Sequence, residues 1–222
     1  NLPNITSISS NSTVCSGQTL SLTAGSDIGT AYSWNGPNSF TSTVQNPTIG
    51  GVSILASGTY SVTTTSAAGC VSSTATISIT VNPIPTVTVF PNNPIICSGQ
   101  STSLIASGAN TYVWTPGNLT CTNCSNPVAS PPVTMSYTVI GNSLGCTDTT
   151  IVTVNVNLTP TVTVTNPLTV CGGTNGTLAA ASNGTSYVWN PGGQTTSSIT
   201  VISPTSFVSY TVTSSIGLCT ST

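Results

Sequence analysis

Lysine, arginine, histidine and glutamate are all missing from this 222-residue chain, whose acidic side chains are the two aspartates Asp27 and Asp148. Each absence removes a class of function. Without side-chain cations nothing neutralises the phosphates of a nucleic acid or attracts an anionic membrane surface. A serine nucleophile would lack the histidine or lysine base that activates it. Two carboxylates far apart in the chain do not make a glycosidase pair, which needs them about 5–9 Å apart. Calcium sites draw on several oxygen ligands, usually including carboxylates, and the segments "VNPIPTV" and "VNLTPTV" carry none. No apolar run reaches the roughly 20 residues of a spanning helix, so direct membrane insertion is not expected. No basic stretch precedes an apolar one as in a signal peptide, and the chain reads as a mature segment. The expectation is a non-enzymatic protein with no catalytic residues, metal or cofactor.

What the chain does contain is serine, threonine and β-branched residues at low charge. Disordered chains usually combine high charge with few β-branched residues; this composition favours folded β structure. "TATISITV" puts Ile77, Ile79 and Val81 on one face, and "IVTVNV" does the same for Val152, Val154 and Val156. Such alternation marks strands with one buried side.

A threefold repeat organises these strands. "AYSWNGP", "TYVWTPG" and "SYVWNPG" each carry Tyr-x-Trp before a Pro and Gly turn, and Trp34, Trp114 and Trp189 follow Cys15, Cys97 and Cys171 by 19, 17 and 18 positions. The first two of these cysteines open the phrase "CSGQ" and the third opens "CGGT". Tyr60, Tyr137 and Tyr210 precede Cys70, Cys146 and Cys219 by ten, nine and nine positions. The period of 70–80 residues suits a small domain, with boundaries expected at 1–82, 83–157 and 158–222. About seven strand signals per repeat suggest an all-β protein of three tandem immunoglobulin-like sandwiches in an extended array. Trp34, Trp114, Trp189, Tyr60, Tyr137 and Tyr210 are expected as core aromatics, each burying on the order of 150–250 Å². Exposed on a surface, the same rings would stack on sugars.

The cysteines are expected to pair within each repeat: Cys15 with Cys70, Cys97 with Cys146, and Cys171 with Cys219. A loop of that size contributes about 4 kcal/mol in the chain-entropy model. Because the second cysteine lies well beyond the tyrosine, the bond should tie one end of the sandwich. Cys121 and Cys124 form a C-x-x-C in "NLTCTNCSNP". Half a zinc site and a thioredoxin-type motif both lack their context, which leaves a local disulfide. The even cysteine count implies an oxidising, extracytoplasmic compartment.

The phrase "CSGQSTSLIASGANTYVWTPGNLTCTNCSNPVASPPVTMSYTVIGNSLGCTDTTIVTVNV" resembles the immunoglobulin-like (PKD-like) repeats of large Bacteroidetes cell-surface proteins, gliding-motility adhesins among them. The resemblance implies extracellular display at the cell surface, type IX secretion and a stalk or adhesive array, with neighbouring repeats, surface glycans or the secretion machinery as partners. A subunit of an extracellular filament or sheath is the alternative, since edge strands here carry none of the lysines that normally block edge pairing. A glycan-binding module is the other. "DTT" at Asp148–Thr150 resembles an O-glycosylation motif, with Thr149 the candidate site. Finally, the first two repeats continue past their second cysteine with "VSSTATISITVN" and "TDTTIVTVNVN", whereas the third ends in "CTST". Its final strand is expected to be missing and to be supplied by a longer chain or by another copy through strand donation.

Overall fold

A computed structural model describes residues 1–164, 173–202, 206 and 208–222. They are almost entirely β, with one 3-10 turn at Ile54–Ala56.

The first repeat runs β1 (Ile5–Ser10), β2 (Val14–Cys15), β3 (Leu20–Ser26), β4 (Gly29–Gly36), β5 (Phe40–Ser42), β6 (Thr48–Ile49), β7 (Gly58–Ser66), β8 (Ala75–Ile79) and β9 (Val81–Asn82). One sheet has the order β1-β3-β6 and the facing one β5-β4-β7-β8. Strand β2 leaves the first sheet to pair in parallel with β9, Cys15 lying opposite Asn82. The second repeat runs β10 (Thr88–Phe90), β11 (Ile95–Cys97), β12 (Thr102–Ser103), β13 (Ile105–Ser107), β14 (Thr111–Thr115), β15 (Val128–Ala129), β16 (Met135–Ser143) and β17 (Cys146–Asn157). Here β11 pairs in parallel with β17, and Cys97 lies opposite Asn157. In the third repeat β18 (Val162–Val164), β19 (Gly176–Ser182) and β21 (Ser198–Val201) make one sheet. Strands β20 (Ser186–Asn190), β22 (Thr211–Ile216) and β23 (Cys219–Ser221) make the other. Where the final strand was expected to be missing, Cys219–Ser221 form β23, paired antiparallel with β22.

Alternation explains the core. Along β7 the inward positions are Tyr60, Val62, Thr64 and Ser66, and the others face outward. Trp34, Leu20, Leu22, Tyr60 and Val62 close the centre of the first sandwich, with Phe40 meeting Tyr60 edge-on at 5.5 Å. Trp189, Ile199 and Val212 centre the third, flanked by half-buried Tyr187 and Tyr210. Trp114, Tyr137, Leu104, Val139, Val152 and Val154 are likewise buried in the second. Each indole N–H donates to a carbonyl of the following loop: Trp34 to Gln45, Trp114 to Cys124 and Trp189 to Thr196. Tyr60 donates its hydroxyl to Ala56 O at 3.0 Å, the corner bond of immunoglobulin-like sandwiches. The Tyr137 hydroxyl is buried without a partner.

Compactness does not follow the sequence period. One compact unit is Asn1–Val87 with Gly108–Tyr112 and Ile140–Thr149; the other is Thr88–Ser107, Val113–Val139 and Thr150–Thr222. The β13–β14 turn and the β16–β17 hairpin end of the second repeat therefore cluster with the first repeat.

The disulfides correct the expected pairing. Cys15 is bonded to Cys146 and Cys97 to Cys219, while Cys70 is free. Neither Cys15–Cys70 nor Cys97–Cys146 forms, and Cys219 is not bonded to Cys171, which lies outside the described residues. The reason is strand length. Cys15 sits beside Asn82 at the end of β9, whereas Cys70 precedes β8 at the far end of the same hairpin. The nine residues of β7, against which β8 runs back, span about 30 Å at roughly 3.3 Å per residue, and a disulfide needs Cα atoms within about 7 Å. The two cysteines of one repeat mark opposite ends of the sandwich. Cys121 and Cys124 are bonded to each other.

Candidate functional site: a cystine junction between repeats

The junction is assembled from short local motifs. In the first compact unit the phrase "CSGQ" makes a turn in which Gly17 takes a φ of 84°, and Gln18 N–H donates to Cys15 O at 3.0 Å. That left-handed conformation suits glycine, which has no Cβ to clash. The Gln18 side chain reaches back, its Oε1 accepting from the Cys15 amide at 3.0 Å. Ser16 N–H donates to Asn82 O at 2.8 Å. Cys15 is thereby fixed beside the end of β9, where the Pro-containing linker starts.

The opposite half comes from the second repeat. Leu144 and Gly145 turn the β16–β17 hairpin with φ of 55° and 85° and deliver Cys146 to the junction. Buried Asn82 donates Nδ2–H to Leu144 O at 2.9 Å. The linker is seated between: Val87 N–H donates to Asp148 Oδ2 at 2.8 Å. A Cβ on Gly108 would overlap the Thr86 carbonyl, and one on Gly141 would overlap the Val87 side chain. Those two glycines let the linker lie flat on the second repeat.

In the second compact unit the same parts recur. Gly99 has a φ of 84°, Gln100 Oε1 accepts from Cys97 N–H at 3.2 Å, and Ser98 N–H donates to Asn157 O at 2.8 Å. Cys219 follows a turn with Gly217 at φ 58°. Cα–Cα distances are 5.7 Å for Cys15–Cys146 and 5.5 Å for Cys97–Cys219. The bonds are shielded, Cys146 and Cys219 being 1% and 0% exposed.

Both carboxylates serve backbone amides. Asp27 Oδ1 accepts from Asn4 N–H at 2.8 Å and Ile28 N–H at 2.7 Å, and these bonds hold its pKa below the usual value of 3.8. In the third repeat Asn183 Oδ1 holds Thr161 N–H at 2.7 Å. Burial raises the Tyr60 and Tyr137 hydroxyl pKa values above 10. Among the described residues no group of three His, Cys, Asp or Glu could hold a metal, and no helix is long and apolar enough to cross a membrane. Thr149 is exposed on β17. Trp34, Trp114 and Trp189 are core residues, not a stacking surface. Gln18, Gln100, Asn82 and Asn157 were not among the sequence-predicted site residues; their signal is the recurrence of "CSGQ" and of "VN" before each linker.

Fold and junction together define a tandem immunoglobulin-like β-sandwich protein. The first repeat also matches a family model described as "Ig-like domain CHU_C associated", over residues 3–83. Among solved structures, an I-band fragment of titin aligns with a TM-score of 0.51 at 12% identity, covering 99% of this chain and 95% of that one. Three N-terminal domains of the bacteriophage RB49 Highly Immunogenic Outer Capsid protein align at a TM-score of 0.40 and 15% identity, covering 99% and 94%. Drosophila OTK extracellular domains 3–5 align at 0.41 and 10%, covering 94% and 90%. At these identities the likeness is one of fold. No curated protein matches the chain.

Proposed function

We propose that this chain is a non-enzymatic segment of an extracellular bacterial surface protein, a stalk or adhesive array in which cystines lock successive sandwiches together. The single observation that carries this reading is the pair of junctions Cys15–Cys146 and Cys97–Cys219. A disulfide between neighbouring repeats adds nothing to a reaction. It does let tension and proteases bypass or spare the linker, which a protein standing in the medium needs. Disulfides belong to oxidising compartments, and the family match of the first repeat supports an immunoglobulin-like repeat. Its partners on this reading are neighbouring immunoglobulin-like repeats, with surface glycans and the type IX secretion machinery as further ones. Thr149, exposed beside Asp148, is the proposed O-glycosylation site.

Protease shaving of intact cells from the native source, under non-reducing conditions, tests the reading. Release of peptides spanning Cys15–Cys146 and Cys97–Cys219 is expected. Recovery of the chain only after lysis, with its cysteines as free thiols, would refute it.

A further inference from the structure

The side-chain clamp that starts the first repeat recurs in the third with one change of chemistry. Asp27 Oδ1 accepts from Asn4 N–H at 2.8 Å, and Asn183 Oδ1 accepts from Thr161 N–H at 2.7 Å. Asn4 immediately precedes β1 and Thr161 immediately precedes β18, so the two side chains hold corresponding strand starts. Asn183 is followed by Gly184, and its Oδ1 also accepts from the Thr161 hydroxyl at 3.3 Å. Gly184 N–H donates to Ser182 Oγ at 2.9 Å, Ser182 donates on to Ser214 Oγ at 2.7 Å, and Ser214 donates to Ser186 O at 3.0 Å. A Cβ on Gly184 would overlap Ser214 Oγ, so packing requires glycine there and no side chain shields its nitrogen. Asn35–Gly36 and Asn175–Gly176 are the other Asn-Gly pairs of the chain. Gly36 lies in β4 opposite Phe40, and Gly176 in β19 opposite Val201. A strand ladder keeps the backbone extended, which opposes folding the glycine nitrogen back onto the asparagine side chain. Gly184 lies between β19 and β20, and Asn183 is exposed to solvent.

We propose that Asn183 is a self-modification site, at which the third repeat converts its amide clamp into a carboxylate with water as the co-reactant. The Gly184 nitrogen gives its proton to solvent hydroxide and attacks Asn183 Cγ. Negative charge gathers on Oδ1, where the Thr161 amide and hydroxyl already donate. Donors placed where charge develops stabilise a tetrahedral intermediate, as an oxyanion hole does. The N–Cγ bond forms, the Cγ–Nδ2 bond breaks, and Nδ2 leaves as ammonia with a proton from water. Water then opens the five-membered imide. Attack at Cγ gives aspartate, and attack at the main-chain carbonyl of residue 183 gives isoaspartate. One water is consumed, one ammonia is released, and nothing is oxidised or reduced. The aspartate product reproduces the carboxylate clamp that Asp27 makes in the first repeat. The isoaspartate product adds a methylene to the main chain between β19 and β20. This goes beyond the stalk reading: it assigns slow covalent chemistry to one residue of the array.

The test incubates the full oxidised chain in mildly alkaline buffer and follows chymotryptic peptides by mass spectrometry. Replacement of amide by acid, as aspartate and isoaspartate, is expected several-fold faster at Asn183 than at Asn35 or Asn175. In the reduced, denatured chain the three rates should converge. Thr161→Pro, which strips both donors from Oδ1, should remove the lead of Asn183 in a chain whose circular dichroism shows it folded. A rate at Asn183 no higher than at either other site in the folded chain, an equal lead in the denatured chain, or a lead that survives Thr161→Pro would each overturn the inference. Should Thr161→Pro fail to fold, the comparison of folded and denatured wild-type chains decides alone. The readout is independent of cell-surface location, so the stalk reading can fail while this one stands.

Discussion

Cys15, on the second strand of the first repeat, is bonded to Cys146, at the turn that opens the last strand of the second and 131 positions further along the chain. Asn82 stands beside this bond on both counts: it pairs in register with Cys15 and donates to Leu144 O. The linker from Pro83 to Thr86 is thus enclosed in a covalent loop. Closing loops of 131 and 122 residues is worth about 5 kcal/mol each taken singly. That is comparable with the roughly 5–15 kcal/mol of a whole domain.

The two corner tyrosines should respond oppositely to loss of the hydroxyl. Tyr60 donates to Ala56 O, and Tyr137 has no partner. Tyr60→Phe should cost about 1–2 kcal/mol, the value of a buried hydrogen bond whose acceptor is left behind. Tyr137→Phe should be neutral or stabilising by up to about 1 kcal/mol, because it removes an unsatisfied polar atom. Denaturant midpoints of the two variants check the sign.

Leu144 holds a φ of 55° while 69% exposed. A non-glycine side chain in that region costs about 1–2 kcal/mol, and little apolar burial is lost with it. Leu144→Gly should raise stability by about 0.5–1 kcal/mol after the unfolded-state entropy of glycine is discounted, seen as a rise in Tm. The third repeat already has Gly217 at this position.

Acid should loosen the start of the first repeat. The folded Asp27 pKa lies below 3.8, chiefly through the Asn4 amide and then that of Ile28. A depressed carboxyl pKa gives stability present above the unfolded value and lost as pH falls through the folded one. Protection of the Asn4 and Ile28 amides against exchange, taken relative to the intrinsic rate at each pH, should therefore fall below pH 3.8. Asp27→Asn, which copies Asn183 of the third repeat, should remove that pH dependence.

How much of this was legible in the sequence varies with the range of the forces involved. Period-two alternation placed β8 and β17, because strand burial is a local pattern. The fixed Cys–Trp spacing marked the three buried indoles for the same reason. Pairing of the cysteines was not legible: it depends on which end of a sandwich each occupies, and spacing says only that two cysteines share a repeat. The turn made by "CSGQ" and the asparagine before each linker were visible as recurring letters, but their meaning needs the parallel β2–β9 and β11–β17 registers. Nor does the sequence show that "CTST" starts a strand, since β23 depends on pairing with β22.

The bond between Cys121 and Cys124 pins the loop whose Cys124 carbonyl accepts from the Trp114 indole at 2.9 Å. Replacing both by alanine should cost about 2 kcal/mol from loop entropy and raise solvent quenching of Trp114 fluorescence, read in a background where Trp34 and Trp189 are Phe. Unchanged stability and quenching would show the loop to be held by its backbone bonds alone.

The central claim is that the cystines join different repeats, and cutting a linker tests it most directly. A specific protease site placed between Pro83 and Thr86 is cleaved in the oxidised chain, and the products are separated without and with reductant. The inter-repeat bonds predict a single covalently joined species that falls into two fragments only on reduction. Two fragments already separate before reduction would mean that the cysteines pair within repeats, and would contradict the account.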